Sequence, residues 1–440
     1  MLNIGHLMTI SLDGEWDFQL LSNPYEEPNK RWQTIPVPGL WTMVNGDQPF
    51  GDKPIYTNVQ MPFSELPPQV PQENPTGVYQ RDFLVPTSWE GKRVVLSLGG
   101  FESVAIVSIN GEEVGVAKDS RLASEFDITN YLRASSNRIQ IKVIKWSDST
   151  FIEDQDQWWH GGLPRSVKLY ATENVFIERF YTTAGLEKDN KTGNLNIRAH
   201  INSIKESDIS NYKLKIKVAG VKGASKSASV IRKTAPQWTE KSAEEQAAGA
   251  DYFHGTYWQG NMPKDKFAAF LATEPAIPGP IEINFRVLNI QPWSAEIPKL
   301  YDLEIELVDP TGQIVEVTTQ KIGFRRVEVI GNQFLVNDKP IIFYGINRHD
   351  FHPITGRVLD RDYMRQDLLE LKRWNFNAVR TSHYPNDPAF LDLCDELGFY
   401  VIGEANIESH AFQNTLCDDQ RYLNAWVDRV ARMMQRDIHH

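Results

Sequence analysis

The sequence predicts three units in succession: a β jelly roll or sandwich, an immunoglobulin-like β-sandwich, and the first part of a (β/α)8 barrel. Three observations predict it. Residues 1–170 and 171–325 consist of short runs that alternate apolar and polar residues, broken by Gly, Pro and Asn. That is the signature of antiparallel sheets with one face in a core. From about residue 326 the pattern changes to apolar runs separated by helical spacings, which is how parallel βα units read. Clusters of polar residues then follow the apolar runs, where a parallel barrel keeps its chemistry.

In the first unit the runs at 14–20, 78–84, 93–98, 104–109 and 138–144 alternate. Asn110-Gly111 between two of them predicts a tight hairpin, because both turn positions need positive φ. A Pro-rich stretch from Pro62 to Pro75 reads as a long loop, a common carrier of function. In the second unit the runs at 194–201, 212–218, 281–287 and 303–308 alternate. Residues 219–280 are rich in Ala, Lys, Glu and Gly with weak periodicity, and are expected to form a surface insertion. In the third unit residues 340–346 predict a strand buried on both faces. Helices are expected over 362–374, 387–397 (stopped by Gly398) and 421–436, with strands over 376–379 and 399–402. The last helix is expected to turn Trp426, Val430 and Met433 or Met434 inward.

Composition narrows the function classes. The 440 residues carry a net charge of −11 and no Lys/Arg blocks, so there is no electrostatic footprint for nucleic acid. No run is apolar and long enough to span a bilayer. The first twenty residues lack a basic segment followed by an apolar core, so no secretory signal is expected. Cys394 and Cys417 belong to no CxxC motif and read as free thiols in a reducing compartment, the cytoplasm.

Three strand ends carry the chemistry. The first gives Asn347-Arg348-His349-Asp350-Phe351-His352, the second Arg380, Ser382 and His383, and the third Glu404, Asn406, Glu408 and His410. Residues two apart in an extended chain point the same way, so the last four are expected to line one wall. A lone histidine is more often a hydrogen-bonded structural residue. Three successive strand ends bearing imidazole, carboxylate or guanidinium point instead to a shared site.

The run Gly345-Ile346-Asn347-Arg348-His349-Asp350-Phe351-His352-Pro353 resembles the barrel of glycoside hydrolase family 2. So do Asn377-Ala378-Val379-Arg380-Thr381-Ser382-His383-Tyr384-Pro385 and Gly403-Glu404-Ala405-Asn406-Ile407-Glu408-Ser409-His410. The N-terminal runs Pro54-Ile55-Tyr56-Thr57-Asn58, Glu73-Asn74-Pro75-Thr76-Gly77 and Glu153-Asp154-Gln155-Asp156-Gln157-Trp158 narrow the resemblance to the bacterial β-galactosidases of the lactose-operon type. It runs from about Leu12 to His440, with a gap over 219–280.

The resemblance implies an enzyme that releases terminal β-D-galactose from lactose-like galactosides with retention. It implies that His349, His383 and Arg380 support the galactosyl hydroxyls in the transition state. It places Asn74, Asp156 and Asn406 with the substrate, Glu408 and His410 on an Mg²⁺, and Asp156 on a Na⁺. It also implies a homo-oligomer. Read without it, Asn74 is a turn residue before Pro75 and the loop of Asp154 and Asp156 is solvated. Two features depart from the family pattern: Gly403 stands where many relatives have an acid, and Trp159-His160-Gly161-Gly162-Leu163-Pro164-Arg165 replaces a Ser-Gly-Ile-Phe-Arg type of turn.

Retaining glycosidases need two carboxyl groups about 5–5.5 Å apart. In the family the acid/base follows the fourth barrel strand and the nucleophile lies near the seventh. Both are therefore expected beyond His440, in a chain that is a fragment and inactive alone. Glu408 is expected as the metal ligand and Glu404 as a residue of the pocket or strand.

Overall fold

The computed structural model describes residues 8–44, 50–204, 209, 211–230 and 281–440. Most of the 219–280 stretch lies outside the described residues. Its first part does not behave as an insertion: Ser225–Ser229 is a strand paired antiparallel to Lys213–Val218.

Two antiparallel sheets make the first unit. One has six strands in the order Gln33–Val37, Gly14–Leu21, Thr76–Phe83, Asn137–Ile144, Val104–Ile109 and Glu112–Lys118. The other has four, Thr9–Ser11, Val167–Thr172, Arg93–Leu98 and Ser124–Asp127. Alternation puts Trp16, Phe18, Tyr79, Leu96, Val107 and Ile141 into one core between the sheets, each large side chain stabilising the sandwich by roughly 1.5–3 kcal/mol. The expected hairpin forms at Asn110 and Gly111, with φ of 55° and 88°.

The second unit packs a three-stranded sheet against a four-stranded one. The first holds Val175–Leu186, Gly193–Ser203 and Ile281–Val287; the second holds Ser225–Ser229, Lys213–Val218, Tyr301–Val308 and Ile314–Ile322. A jelly roll, an immunoglobulin-like sandwich and a barrel-type βα segment thus follow one another.

In the third unit β1 (Gly345–Asn347), β2 (Ala378–Arg380) and β3 (Tyr400–Ile402) pair in parallel, with Asn347, Arg380 and Ile402 in register. They alternate with α1 (Arg361–Arg373), α2 (Pro388–Leu397) and α3 (Leu423–Asp437). Asp360 caps α1 through Tyr363 N at 2.7 Å. Asp387 caps α2, Pro388 fills its first position, and Gly398 ends it with φ of 78°. A Cβ on Gly398 would lie 2.3 Å from the Ala295 carbonyl oxygen, so glycine also lets the helix end meet the second unit.

Two expectations fail here. Residues 340–346 are not one doubly buried strand. Lys339–Pro340 pairs in a small antiparallel hairpin sheet and β1 starts only at Gly345, leaving Ile342 66 % and Tyr344 60 % exposed. The run is apolar throughout, but its first residues pair in the hairpin sheet, and among the described residues β1 pairs on one side only, with β2. The second fails in part: α3 packs Trp426 against the cluster of Phe151, Ile152, Leu416 and Tyr422, but it buries Arg429 and Arg436 and exposes Val430 and Met434. The arginines win because acceptors wait on the jelly-roll side: Arg429 reaches Glu153 at 2.7 Å and Arg432 reaches the Ala123 carbonyl at 2.8 Å.

Candidate active site

The ends of β1, β2 and β3 meet in one cluster. Arg380 donates through Nε to Glu404 Oε1. His383 Nδ1 lies 2.9 Å from Glu404 Oε2, and its Nε2 lies 3.8 Å from Glu408 Oε2. The same Nδ1 also lies 3.2 Å from Arg380 Nη2, a donor, so it stands between an acceptor and a donor. The His349 ring stands nearly perpendicular to that of His383, with centroids 5.8 Å apart. Burial of its inner edge, with the positive charges of Arg357 and His383 nearby, pushes the His349 pKa down to about 4, although its outer edge is open to solvent.

Not every residue of the polar runs belongs to this cluster. Arg348 bonds Asp350 at 2.6 Å and Asp367 at 3.0 Å and ties β1 to α1. His352 Nδ1 caps its own turn, accepting from the amides of Ile354 and Thr355 at 3.2 Å. Ser382 is buried with its hydroxyl on the Arg348 carbonyl.

The wall expected from alternation does not form, because β3 stops at Ile402 and the chain then turns, with Ser409 at a φ of 52°. Asn406 is 1 % exposed, and its amide joins Gln155 Nε2 at 2.8 Å and Ser120 Oγ at 3.2 Å. It packs against the jelly roll instead of facing an open pocket. Asn74 is buried in a similar way. It is 3 % exposed, donates to the Trp146 carbonyl at 2.8 Å and accepts from the Trp146 amide at 2.9 Å. Its side chain is a clip between two loops, in keeping with its place in the turn before Pro75.

The loop of residues 153–157 is no solvated loop. It threads between jelly roll and barrel segment. Asp154 is buried, its carboxylate accepting from Ala411 N at 2.6 Å and its carbonyl from His410 N at 3.0 Å. Burial, with Glu408 adding to it, pushes the Asp154 pKa up to about 7. Gln155 donates to the His383 carbonyl at 3.2 Å. Asp156 points outward, accepts from Tyr56 OH at 2.6 Å and acts electrostatically on His349. Glu153, Asp154 and Gln155 were missed as site builders. The signal was present in an unbroken run of acids and amides with no Gly or Pro to make it a turn.

The unusual turn after it has a physical reason. A Cβ on Gly161 would lie 2.0 Å from the Trp41 ring, and Gly162 has a φ of 141°. Arg165 then crosses to the barrel segment, donating to the Pro385 carbonyl at 3.1 Å and lying 3.5 Å from Asp350. It anchors the loop that carries His383.

Glu408 Oε2 and His410 Nδ1 are buried without a hydrogen-bond partner, and so is Asp154 Oδ1. Such orphaned acceptors suit a cation, since an unpaired buried acceptor is costly. Among the described residues no group of three or more His, Cys, Asp or Glu is arranged to hold a metal. Of this pair the Glu408 carboxylate suits Mg²⁺, which keeps several waters, while the His410 imidazole is softer than that ion prefers. Cys394 and Cys417 are unpaired, and among the described residues no helix is long and apolar enough to cross a membrane.

Comparison with known proteins agrees with this geometry. Residues 9–173 match the model for the sugar-binding domain of glycosyl hydrolases family 2, residues 175–325 a second domain model of the same family, and residues 327–440 its TIM barrel domain. The chain is 37 % identical to the β-galactosidase of Pectobacterium atrosepticum over 98 % of its own length and 38 % of that enzyme's. For the β-galactosidase of Pseudoalteromonas haloplanktis the identity is 35 %, over 98 % and 39 % of the two lengths. The chain thus spans under two fifths of these relatives. A solved β-glucuronidase from Bifidobacterium dentium shares the fold with a TM-score of 0.73 at 20 % identity, covering 100 % of this chain and 68 % of that one. A β-glycosidase from Bacteroides vulgatus does so at 0.69 and 19 %, covering 98 % and 49 %. With three consecutive domain models of one family accounting for nearly its whole length, the chain belongs to glycosyl hydrolase family 2.

Proposed function

We propose that these residues build the galactose-recognition part of a retaining β-galactosidase. The observation that carries the reading is the convergence of His349 from one strand end with Arg380 and His383 from the next, beside Asp156 brought in by the jelly-roll loop, in a chain 34–37 % identical to β-galactosidases. In this reading His349, His383 and Arg380 hold sugar hydroxyls, and Asp156 takes a further hydroxyl and a Na⁺. Glu408 and His410 hold an Mg²⁺, which supplies positive charge beside the site. The relatives' length and the commitments of Glu404 and Glu408 support placing the acid/base and nucleophile on segments other than these 440 residues. Glu404 is taken by Arg380 and His383, and Glu408 faces His383. In this reading Glu404 is committed to those partners and Glu408 to the Mg²⁺, so neither serves as one of the pair that must flank a glycosidic bond.

The test is turnover of nitrophenyl glycosides with Mg²⁺ and Na⁺ present. The 440-residue chain is expected to leave o-nitrophenyl β-D-galactoside intact, and a longer protein containing it to hydrolyse the galactoside in preference to the glucuronide or mannoside. Preference for another sugar sinks the substrate assignment. Chelator-sensitive turnover by the 440 residues sinks the placement of the carboxylates.

A further inference from the structure

Tyr384 lies directly behind His349 and is completely buried. Its phenol oxygen is 3.1 Å from the Asp350 amide nitrogen and 3.4 Å from His349 Nδ1. The amide can only donate, so it uses the oxygen as acceptor. Among the described residues the phenol proton then has one acceptor within reach, His349 Nδ1. The reverse arrangement, with Nδ1–H donating to the phenol, leaves a buried O–H without an acceptor, which costs about 1–3 kcal/mol. The ring cannot swing away to find another. The guanidinium carbons of Arg121 and Arg357 stand 4.7 and 5.1 Å from its centroid, and both guanidiniums are paired with the buried Glu102.

We infer that Tyr384 is a positioning residue that fixes neutral His349 with its proton on Nε2, so that the open edge of this imidazole meets a ligand as a hydrogen-bond donor. The depressed pKa of His349 is consistent with a single ring proton at neutral pH. His383 is held differently: its Nδ1 meets both the Glu404 carboxylate at 2.9 Å and the donor Arg380 Nη2 at 3.2 Å, so these contacts select no single tautomer. A donating His349 edge beside the nearly perpendicular His383 ring suits a sugar hydroxyl. That last step rests on the proposed function, whereas the tautomer does not.

The test is ¹⁵N NMR of histidine-labelled protein at pH 7.5, with His349 assigned by its loss in His349→Gln. The inference predicts that Nδ1 resonates as an unprotonated nitrogen and Nε2 as a protonated one. A protonated Nδ1 in the wild type overturns it. Tyr384→Phe keeps the ring between the guanidiniums and removes the hydroxyl. Its His349 nitrogens are expected to move toward averaged positions while those of buried His160 stay put. An unchanged His349 pattern in that variant also overturns the inference. If the variant does not fold, the wild-type spectrum still decides. Binding of deoxy- and deoxyfluoro-galactose separates the two readings, because fluorine accepts but cannot donate. A donor His349 retains one fluoro analogue better than its deoxy counterpart. An Nε2–H tautomer with no galactose binding at all contradicts the functional reading alone.

Discussion

At His160 burial and charge pull in opposite directions. Glu102 would raise its pKa, but burial in the core beside Phe351, with Arg357 and Arg121 adding to it, pushes it down to about 3. A histidine held neutral in the fold but titrating near 6.5 when unfolded favours the folded state fully above about pH 6.5. That contribution is lost as the pH falls toward 3. His160→Gln is therefore expected to flatten the loss of Tm between pH 6.5 and 4, measured by calorimetry, whatever it does to stability at pH 8. At the site itself, Glu404→Gln removes the charged acceptor that orients His383 and anchors Arg380. Galactoside affinity is expected to fall about tenfold or more with little change in Tm, since a quarter of the Glu404 side chain is exposed. Calorimetric titration checks it, and unchanged affinity contradicts the orienting role.

The elements show which parts of this protein were legible in its sequence. Alternation located the sheets of both sandwiches, and Asn110-Gly111 gave the hairpin, because period and turn chemistry are local properties. The βα order of the third unit was equally legible. What failed depended on neighbours far along the chain. The 340–346 run gave no sign that its first residues pair in a separate hairpin sheet. The face of α3 was read correctly at Trp426 but not at Val430 and Met434, because Arg429 and Arg432 find acceptors about 300 residues earlier. Asn74 and Asn406 matched motifs, but only the fold shows their amides spent on Trp146, Gln155 and Ser120. The same link gives a prediction. Arg429 and Glu153 are both buried and paired at 2.7 Å. Arg429→Leu leaves an uncompensated buried carboxylate and should cost about 3–5 kcal/mol. Adding Glu153→Gln should restore a large part of it in denaturant unfolding. Additive losses contradict direct coupling.

Across the whole molecule, the recognition cluster belongs to no single unit. The barrel segment supplies His349, Arg380, His383, Glu404 and Glu408. The jelly roll supplies Asp156, the Gln155 that supports the His383 backbone, and the Glu102–Arg121 pair behind Tyr384. Arg165, Arg429 and Arg432 stitch the two together. Such a site is expected to bind sugar only while the first unit is docked. The most direct measurement is therefore titration of the 440-residue chain, with Mg²⁺ and Na⁺, against methyl β-D-galactoside and methyl β-D-glucuronide, repeated with His383→Ala. Saturable binding of the galactoside in preference to the glucuronide is expected, lost in the variant. Preference for the glucuronide, or galactoside binding indifferent to His383, would contradict it.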